Sequence, residues 1–147
     1  MMKKVQNLLK KQKGVTLIEL LAVIIILGII ALIAVPAIAG IISDSKADSI
    51  KSSAINYINA AEMYEVTEGI DSDGVTLEEL RDEDYVDDNE GVAWSDGAKV
   101  ILDSGEYKID GSGQIDRVQV VLGNATIKDI NDVANNVTVN DDVEPTS

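Results

Sequence analysis

The feature that most constrains this chain is an unbroken apolar run near its amino end. From Leu20 to Ile42 there are 23 consecutive residues without a charge. A helix rises about 1.5 Å per residue, so the run is roughly 35 Å long, and the hydrocarbon core of a bilayer is about 30 Å thick. Because the run can cross a membrane, we expect the fold to be built around one membrane-spanning helix, at about residues 20–42.

Charges beside this run give its orientation. Five lysines and no acidic residue lie in residues 1–14, and such an excess of positive charge holds that end in the cytoplasm. The precursor is therefore expected to be a single-pass protein of the cytoplasmic membrane, with the chain beyond residue 42 outside. One acid, Glu19, precedes the run. An unpaired carboxylate costs about 2.5–3.5 kcal/mol at the bilayer centre and less near the interface, so Glu19 needs a partner.

A short sequence motif lies between the lysines and the apolar run. The basic leader ends at Gly14 and is followed by Val15-Thr16-Leu17-Ile18-Glu19. Roughly residues 3–42 resemble the class III signal of type IV prepilins and pseudopilins. The resemblance implies that a prepilin peptidase in the membrane removes residues 1–14 by cutting between Gly14 and Val15, and that it methylates the new terminus at Val15. Most members of that family have Phe where this chain has Val15.

Cleavage before Val15 would also create a cation. A free α-amine has a pKa near about 8 and is protonated at neutral pH. Our hypothesis is that Glu19 of an incoming subunit pairs with the Val15 amine of a neighbour, which sets the axial register of a growing filament. The alternative is that Glu19 is an interfacial charge, tolerated by the positive end of the helix dipole.

Gly28 and Pro36 lie inside the apolar run. Proline cannot donate a hydrogen bond to the carbonyl of Leu32, four residues earlier, and its ring crowds that turn. Glycine adds about 1 kcal/mol of helix penalty relative to alanine. The resemblance implies that the segment from Gly28 to Pro36 loses its helical form when subunits pack; the alternative is a simple kink, which membrane helices tolerate.

Two other interpretations of the amino end remain. An ordinary secretory signal could be cut after Ala39, since Ala37-Ile38-Ala39 satisfies the small-x-small rule, and the mature chain would then begin at Gly40. The apolar run exceeds the usual length of about 7 to 15 residues for the core of such a signal. A plain single-pass anchor explains the length and the lysines but neither Gly14 nor Glu19.

Beyond Ile42 the chain turns polar without a helix breaker before Gly69, so the helix is expected to continue and to occupy residues 15–68. Its second half is amphipathic, because apolar residues recur at spacings of three and four. The predicted buried stripe consists of Ile50, Ala54, Tyr57, Ile58, Ala61 and Tyr64.

Residues 69–147 are expected to form a globular head. Thr76-Leu77-Glu78-Glu79 is a capping box that opens a short helix to about Arg81. From Gly91 the apolar period changes to two, which predicts strands at 98–102, 106–109, 115–122 and 125–128, with turns at 103–105, 111–113 and 123–124; residues 137–139 could add another. The predicted sheet core is Val100, Leu102, Val118, Val120 and Leu122, with Trp94 at an edge or as a plug.

The expected fold class is therefore α+β. A long amino-terminal helix, transmembrane in its first half and amphipathic in its second, packs on a small antiparallel sheet. By resemblance this is the type IV pilin fold.

The amino-acid composition excludes several classes of function. The chain has no Cys and no His, which excludes disulfides, thiolate chemistry and the commonest zinc ligands. No carboxylate pair or Ser–Lys dyad stands out, so we expect no enzyme and no catalytic residue. After removal of residues 1–14, seven Lys and Arg face 26 Asp and Glu, a net charge of −19 (7 − 26). This charge disfavours direct binding of nucleic acid.

No cofactor is expected, with one candidate exception. Some pseudopilins bind calcium through acidic loops, so the resemblance makes the acidic run at residues 82–90 a candidate calcium site. The alternative is a solvated run of charge.

The resemblance implies a structural subunit of a type IV pilus filament that serves adhesion, aggregation or twitching motility. Its partners would be copies of itself, other pilins, the prepilin peptidase and the assembly platform in the membrane, and its final location the extracellular pilus at the cell surface. The first alternative is a pseudopilin of a type II secretion or competence system. The second is an anchored or secreted binding domain that does not polymerise.

Overall fold

The structure, a computed structural model, describes residues 2–87, 91–132 and 134–145, with the helical backbone alone for residues 2–14. The described elements are, in chain order, α1 (Met2–Thr67), β1 (Val75–Thr76), α2 (Leu77–Asp82), β2 (Ala93–Trp94), β3 (Lys99–Asp103), β4 (Glu106–Ile115), β5 (Val118–Ala125), α3 (Ile127–Asp132) and β6 (Val137–Asn140). The chain divides into two compact units, Met1–Ile41 and Ile42–Ser147. The first unit is helix, and the second is the head, which includes the last part of α1.

The predicted long helix is confirmed, and it ends at Thr67. The backbone N–H groups of Glu68 and Gly69 both donate to the carbonyl of Tyr64, at 2.8 and 3.3 Å. Gly69 has a φ of +85°, a conformation in which a side chain would be strained. The helix therefore stops where the glycine lets the chain turn away, as the sequence predicts.

Within the head, α1 buries one face against the sheet. Ile50, Ala54 and Ala61 are fully buried, and Tyr64 is half-buried. The predicted stripe is confirmed and is wider than predicted, because small residues beside it are covered as well. The additional buried residues are Ala47, Ser53 and Ala60.

The strands form one antiparallel sheet in the order β1-β3-β4-β5-β6, with β2 paired to β4 on the same side as β3. The six-stranded sheet and the long helix confirm the α+β class and are consistent with the pilin fold. Four of the five predicted core residues of the sheet, Val100, Val118, Val120 and Leu122, are buried. Leu102 is only half-buried, since it lies one residue from the end of β3.

The predicted strand at 125–128 is wrong. Only Ala125 belongs to a strand, and Ile127 begins α3. The reason is a reciprocal cap between Thr126 and Asp129. The Asp129 N–H donates to the Thr126 hydroxyl oxygen at 3.2 Å, and the Thr126 N–H donates to the Asp129 carboxylate at 3.0 Å. These bonds satisfy two donors at the start of a helix and outweigh the strand preference of the local sequence.

Two of the three predicted turns are also wrong. Residues 111–113 lie inside β4 and residues 123–124 inside β5. Gly111 and Gly113 serve close packing, because a Cβ at Gly113 would lie 2.7 Å from Ile50 Cγ2 and one at Gly111 would lie 2.6 Å from the Cβ of Ala98. The turn at 103–105 is confirmed, since Ser104 and Gly105, both with positive φ, join β3 to β4.

The predicted strand at 115–122 is wrong at its start, because Ile115 ends β4, residues 116–117 form a turn and β5 begins only at Val118. Three other head predictions are confirmed. Thr76 caps α2 by accepting a hydrogen bond from the Glu79 N–H at 3.1 Å. Residues 137–139 lie in β6. Trp94 lies in the two-residue strand β2 and packs edge-on against Tyr57, with ring centroids 5.6 Å apart.

The cap on α3 is expected to make the stability of the folded chain depend on pH. Hydrogen bonds from the Thr126 N–H, the Thr126 hydroxyl and the Asn136 amide lower the pKa of Asp129 from its ordinary value. A carboxylate with a lowered pKa in the folded state adds stability above its ordinary pKa of about 4, and this contribution is lost as the pH falls through the folded-state value. We expect Asp129→Asn to destabilise the full chain in detergent at neutral pH, and the difference from wild type to shrink in acid. Thermal unfolding followed by circular dichroism across that pH range measures this.

The matched control is Asp141→Asn, which removes the same charge from an exposed position beyond β6. Its difference from wild type should not follow the same pH course. A constant difference for Asp129→Asn at all pH values would contradict the prediction.

Candidate functional site

The candidate site is the first unit, in which apolar side chains of α1 are uncovered. Val15 is 56% exposed, Ile18 64% and Leu32 77%. Large exposed apolar surfaces of this kind mark contact with lipid or with other proteins. The stretch from Val15 onward is long and apolar enough to cross a membrane, and the most apolar part of it has no burial within the structure. A core helix of a soluble domain would be mostly covered, and this one is not.

Val15 and Glu19 lie at the start of the part of α1 whose side chains the structure describes. They are four residues apart in a continuous helix, so they lie on the same face about one turn apart. Glu19 is exposed, with apolar neighbours at Ile18 and Leu20. The bond between Gly14 and Val15 lies within α1, but the side chains before Val15 are outside the described residues. The cleavage, the methylation and the role of Glu19 stay predictions.

Gly28 and Pro36 both lie within the continuous helix of this single chain. A Cβ at Gly28 would meet nothing within 4 Å, so intrachain packing does not require a glycine there. Pro36 lies inside α1 and removes the hydrogen bond to the carbonyl of Leu32. The segment between them is therefore weakened without gaining anything from contacts inside the chain. Its loss of helical form on packing stays a prediction.

The described part of the head holds no cluster of three or more Asp and Glu placed to bind a metal ion. The candidate calcium loop at 82–90 is described only to residue 87, and residues 88–90 lie outside the described part of the chain. The calcium prediction is therefore untested.

Shifted pKa values in the head have structural causes. The Lys108 ammonium lies 2.7 Å from the Asp103 carboxylate, across the β3–β4 hairpin. This hydrogen-bonded pair lowers the pKa of Asp103 and raises the pKa of Lys108. Partial burial, followed by the nearby Glu79, raises the pKa of Tyr64. The Lys108–Asp103 pair links β3 to β4, and the Tyr64–Glu79 pair links α1 to α2. Neither pair provides a general acid or base with a pKa near neutral pH.

A comparison with known families supports the interpretation of the amino end. Residues 9–35 match the model of the prokaryotic N-terminal methylation motif. This motif is the class III signal of type IV pilins and pseudopilins. No curated protein and no solved structure matches the chain. The motif supports a type IV pilin-like or pseudopilin protein, and the pilin-like class is structural rather than enzymatic.

The matched motif also implies processing by prepilin peptidase and assembly with other pilins. Together with the apolar helix it fits a membrane-anchored precursor.

Proposed function

We propose that this chain is the structural subunit of a type IV pilus filament. The observation that carries the proposal is a methylation motif at residues 9–35 joined to a helix whose apolar side chains are exposed. In the membrane, lipid covers these side chains. In a filament the same surfaces of neighbouring subunits cover one another, so one helix serves as anchor first and as polymerisation surface later.

Cleavage between Gly14 and Val15 couples these two states. Removal of residues 1–14 takes away five lysines, and it creates the α-amine that Glu19 lacks in the precursor. The carboxylate of Glu19 then pairs with the amine of a neighbouring subunit, and the pair fixes axial register. Gly28 and Pro36 let the helix lose its hydrogen bonds locally as subunits pack. The acidic heads lie on the outside of the filament at the cell surface, where they serve adhesion, aggregation or twitching.

A pseudopilin of a secretion or competence system is the second candidate, because the matched motif is common to both classes. The two differ in the length of the polymer. A pilus subunit gives long surface filaments in electron micrographs of cells that express it with its assembly machinery, and a pseudopilin gives a short polymer that does not extend from the cell. Calcium in the acidic loop would be a property of the head in either case.

The mature amino terminus provides the primary test. We expect mass spectrometry of the chain purified from its own membrane or filaments to find Val15 as the first residue, carrying a methyl group. A terminus at Gly40 would establish an ordinary secretory signal, and one at Met1 a plain anchor; either would overturn the proposal. Gly14→Val is the matched control, because it leaves the apolar helix unchanged and should keep the terminus at Met1.

A further inference from the structure

The six-stranded sheet ends at β6 on one side. β6 (Val137–Asn140) pairs with β5, and among the described residues no strand pairs with its other side. A strand at the edge of a sheet leaves backbone N–H and C=O groups unpaired, and another extended chain can bind them. At the opposite end of the sheet the last strand, β1, has only two residues. The side of β6 that faces away from β5, which we call the β6 edge, is therefore long enough to pair with a further strand.

The register of β6 determines which of its backbone groups point outward. Just before the strand, the Gly123 N–H of β5 donates to the carbonyl of Asn136 at 2.8 Å. Bonded and non-bonded residue pairs alternate along an antiparallel ladder, so Val137 and Val139 direct their backbone groups away from β5. The Val137 N–H is satisfied by the carbonyl of Ala134 at 2.9 Å. The β6 edge therefore offers the Val139 N–H and the carbonyls of Val137 and Val139 to a partner.

The β6 edge lacks the features that usually prevent the edges of sheets from pairing. Natural edge strands commonly carry a charged residue, a proline or a β-bulge. Residues 137–140 include no charged residue and no proline, and the register between β5 and β6 is regular. Val139 is 37% exposed, although it lies on the same face of β6 as the buried Val137. A strand added at the β6 edge would therefore cover an apolar side chain as well as pair with the backbone.

The charge around the β6 edge determines which kind of partner it suits. Residues 129–147 contain five acidic residues and no basic one. Asp141 and Asp142 follow the strand directly and are exposed, and Asp142 has an ion-pair partner in Arg117 at 3.6 Å. Residues 42–147 contain 25 Asp and Glu and seven Lys and Arg, a net charge of −18 (7 − 25). A second copy of this head would be repelled, whereas a basic chain would be attracted.

We propose that the β6 edge binds an extended, basic segment of another protein, which joins the sheet as a further strand. Strand addition of this kind gains affinity from main-chain hydrogen bonds and specificity from the side chains that alternate along the added strand. The N–H and carbonyl of Val139 pair with the backbone of the segment, and an apolar side chain opposite Val139 covers it. Lysine or arginine beside that side chain lies near Asp141 and Asp142. The inference goes beyond the filament, because β6 belongs to the head and presents the same edge in an unpolymerised chain.

A synthetic peptide is the probe for this surface. It has about ten residues, the length of a long strand, with valine and lysine in alternation and a fluorescent label. The full-length chain in an uncharged detergent is titrated into the peptide, and fluorescence anisotropy measures binding. We expect saturable binding that weakens as salt is added, because salt screens the attraction between the charges. The control peptide has D-valine in place of L-valine, so it keeps the charge but cannot form a regular strand, and it should bind about tenfold more weakly or worse.

Substitutions of Val139 test the backbone contact. Val139→Pro removes the outward N–H without removing a hydrogen bond to β5, so the sheet should stay intact. It should weaken binding of the L-valine peptide about tenfold or more, because it removes one hydrogen bond and places a ring at the edge. Val139→Thr keeps the backbone and a β-branched side chain and should bind nearly as well as wild type. Thermal unfolding shows whether each variant is folded; if Val139→Pro is not, Val139→Lys, which keeps the N–H and repels the lysines of the peptide, takes its place and should also weaken binding.

Three results would overturn the inference. Equal binding of the two peptides, or equal binding by wild type and Val139→Pro, would show that the acidic surface alone attracts the lysines. No binding of the L-valine peptide would show that the β6 edge does not accept a strand. Dimers that form without peptide and that Val139→Pro abolishes would show that the occupant is a second copy. The filament is tested separately, by the mature terminus at Val15, so the two proposals can fail independently.

Discussion

Glu19→Ala is expected to abolish filament assembly while leaving the cut between Gly14 and Val15 intact. Without the carboxylate, the amine of the neighbouring subunit enters an apolar interface with no partner. An unpaired charge in such surroundings costs about 2.5–3.5 kcal/mol, and each 1.4 kcal/mol is a factor of about ten in a binding constant. Each subunit contact is therefore weakened roughly a hundredfold or more. Electron microscopy and the amount of sheared surface protein measure the loss.

Two further substitutions separate charge from shape. Glu19→Gln keeps the size of the side chain and removes its charge, so it should fail like alanine. Glu19→Asp keeps the charge on a shorter side chain and should retain part of the assembly. Normal piliation with Glu19→Ala would show that Glu19 is only an interfacial charge near the helix start, and the role in register would be wrong. Mass spectrometry of each variant confirms that the terminus is still Val15.

Features that depend on nearby residues were predictable from sequence. The end of α1 at Thr67 follows from Gly69, whose positive φ is accessible to glycine at little cost. The start of α2 follows from the capping box at Thr76, whose hydroxyl accepts the Glu79 N–H. The apolar run and the motif at residues 9–35 are likewise contained in one stretch of chain. In each case the residues that determine the structure lie within a few positions of it.

Features that depend on distant contacts were not predictable in the same way. Gly111 and Gly113 look like turn residues in the sequence, but they lie inside β4 because other elements pack directly over them. The turn instead falls at Asp116 and Arg117, between β4 and β5, and the Lys46 ammonium on α1 lies 2.8 Å from the Asp116 carboxylate. The end of β5 at Ala125 is a different case, because the cap between Thr126 and Asp129 is local and outweighs the strand preference of the residues around it.

The same distinction between local and distant determinants applies to the candidate site. The motif, Glu19 and the apolar helix are local in sequence and were found there. The exposure of Met63 and Val66 on α1 was not predictable from the sequence, because only the structure shows which face of this helix the sheet covers.

Gly113→Ala should destabilise the head by about 1–3 kcal/mol, the usual cost of forcing extra volume into a packed core. The new Cβ would lie 2.7 Å from Ile50 Cγ2, 3.0 Å from Val92 Cγ1 and 3.2 Å from the ring of Trp94. The Ile50 side chain is fully buried and cannot move into solvent. Urea unfolding of the full chain in detergent measures the change in the free energy of unfolding.

A matched glycine and a double variant make this prediction specific to the contact between α1 and β4. A Cβ at Gly123, in β5, would meet only the backbone oxygen of Asn136, at an ordinary 3.7 Å. Gly123→Ala should therefore be neutral or stabilise slightly, by up to about 1 kcal/mol through the unfolded state. Ile50→Ala alone should cost about 2–5 kcal/mol because it leaves a cavity.

Combined with Gly113→Ala, the truncation of Ile50 removes the atom that the new Cβ would strike. The double variant should therefore be more stable than the sum of the single changes predicts, by about 0.5–3 kcal/mol. Additive costs would show that the cost of Gly113→Ala comes from the close contacts with Val92 and Trp94 rather than from the approach of the helix. A positive coupling energy between the two substitutions would establish that Ile50 of α1 packs directly on the backbone of β4 at Gly113. The absence of a side chain at Gly113 would then allow the helix to lie this close to the sheet.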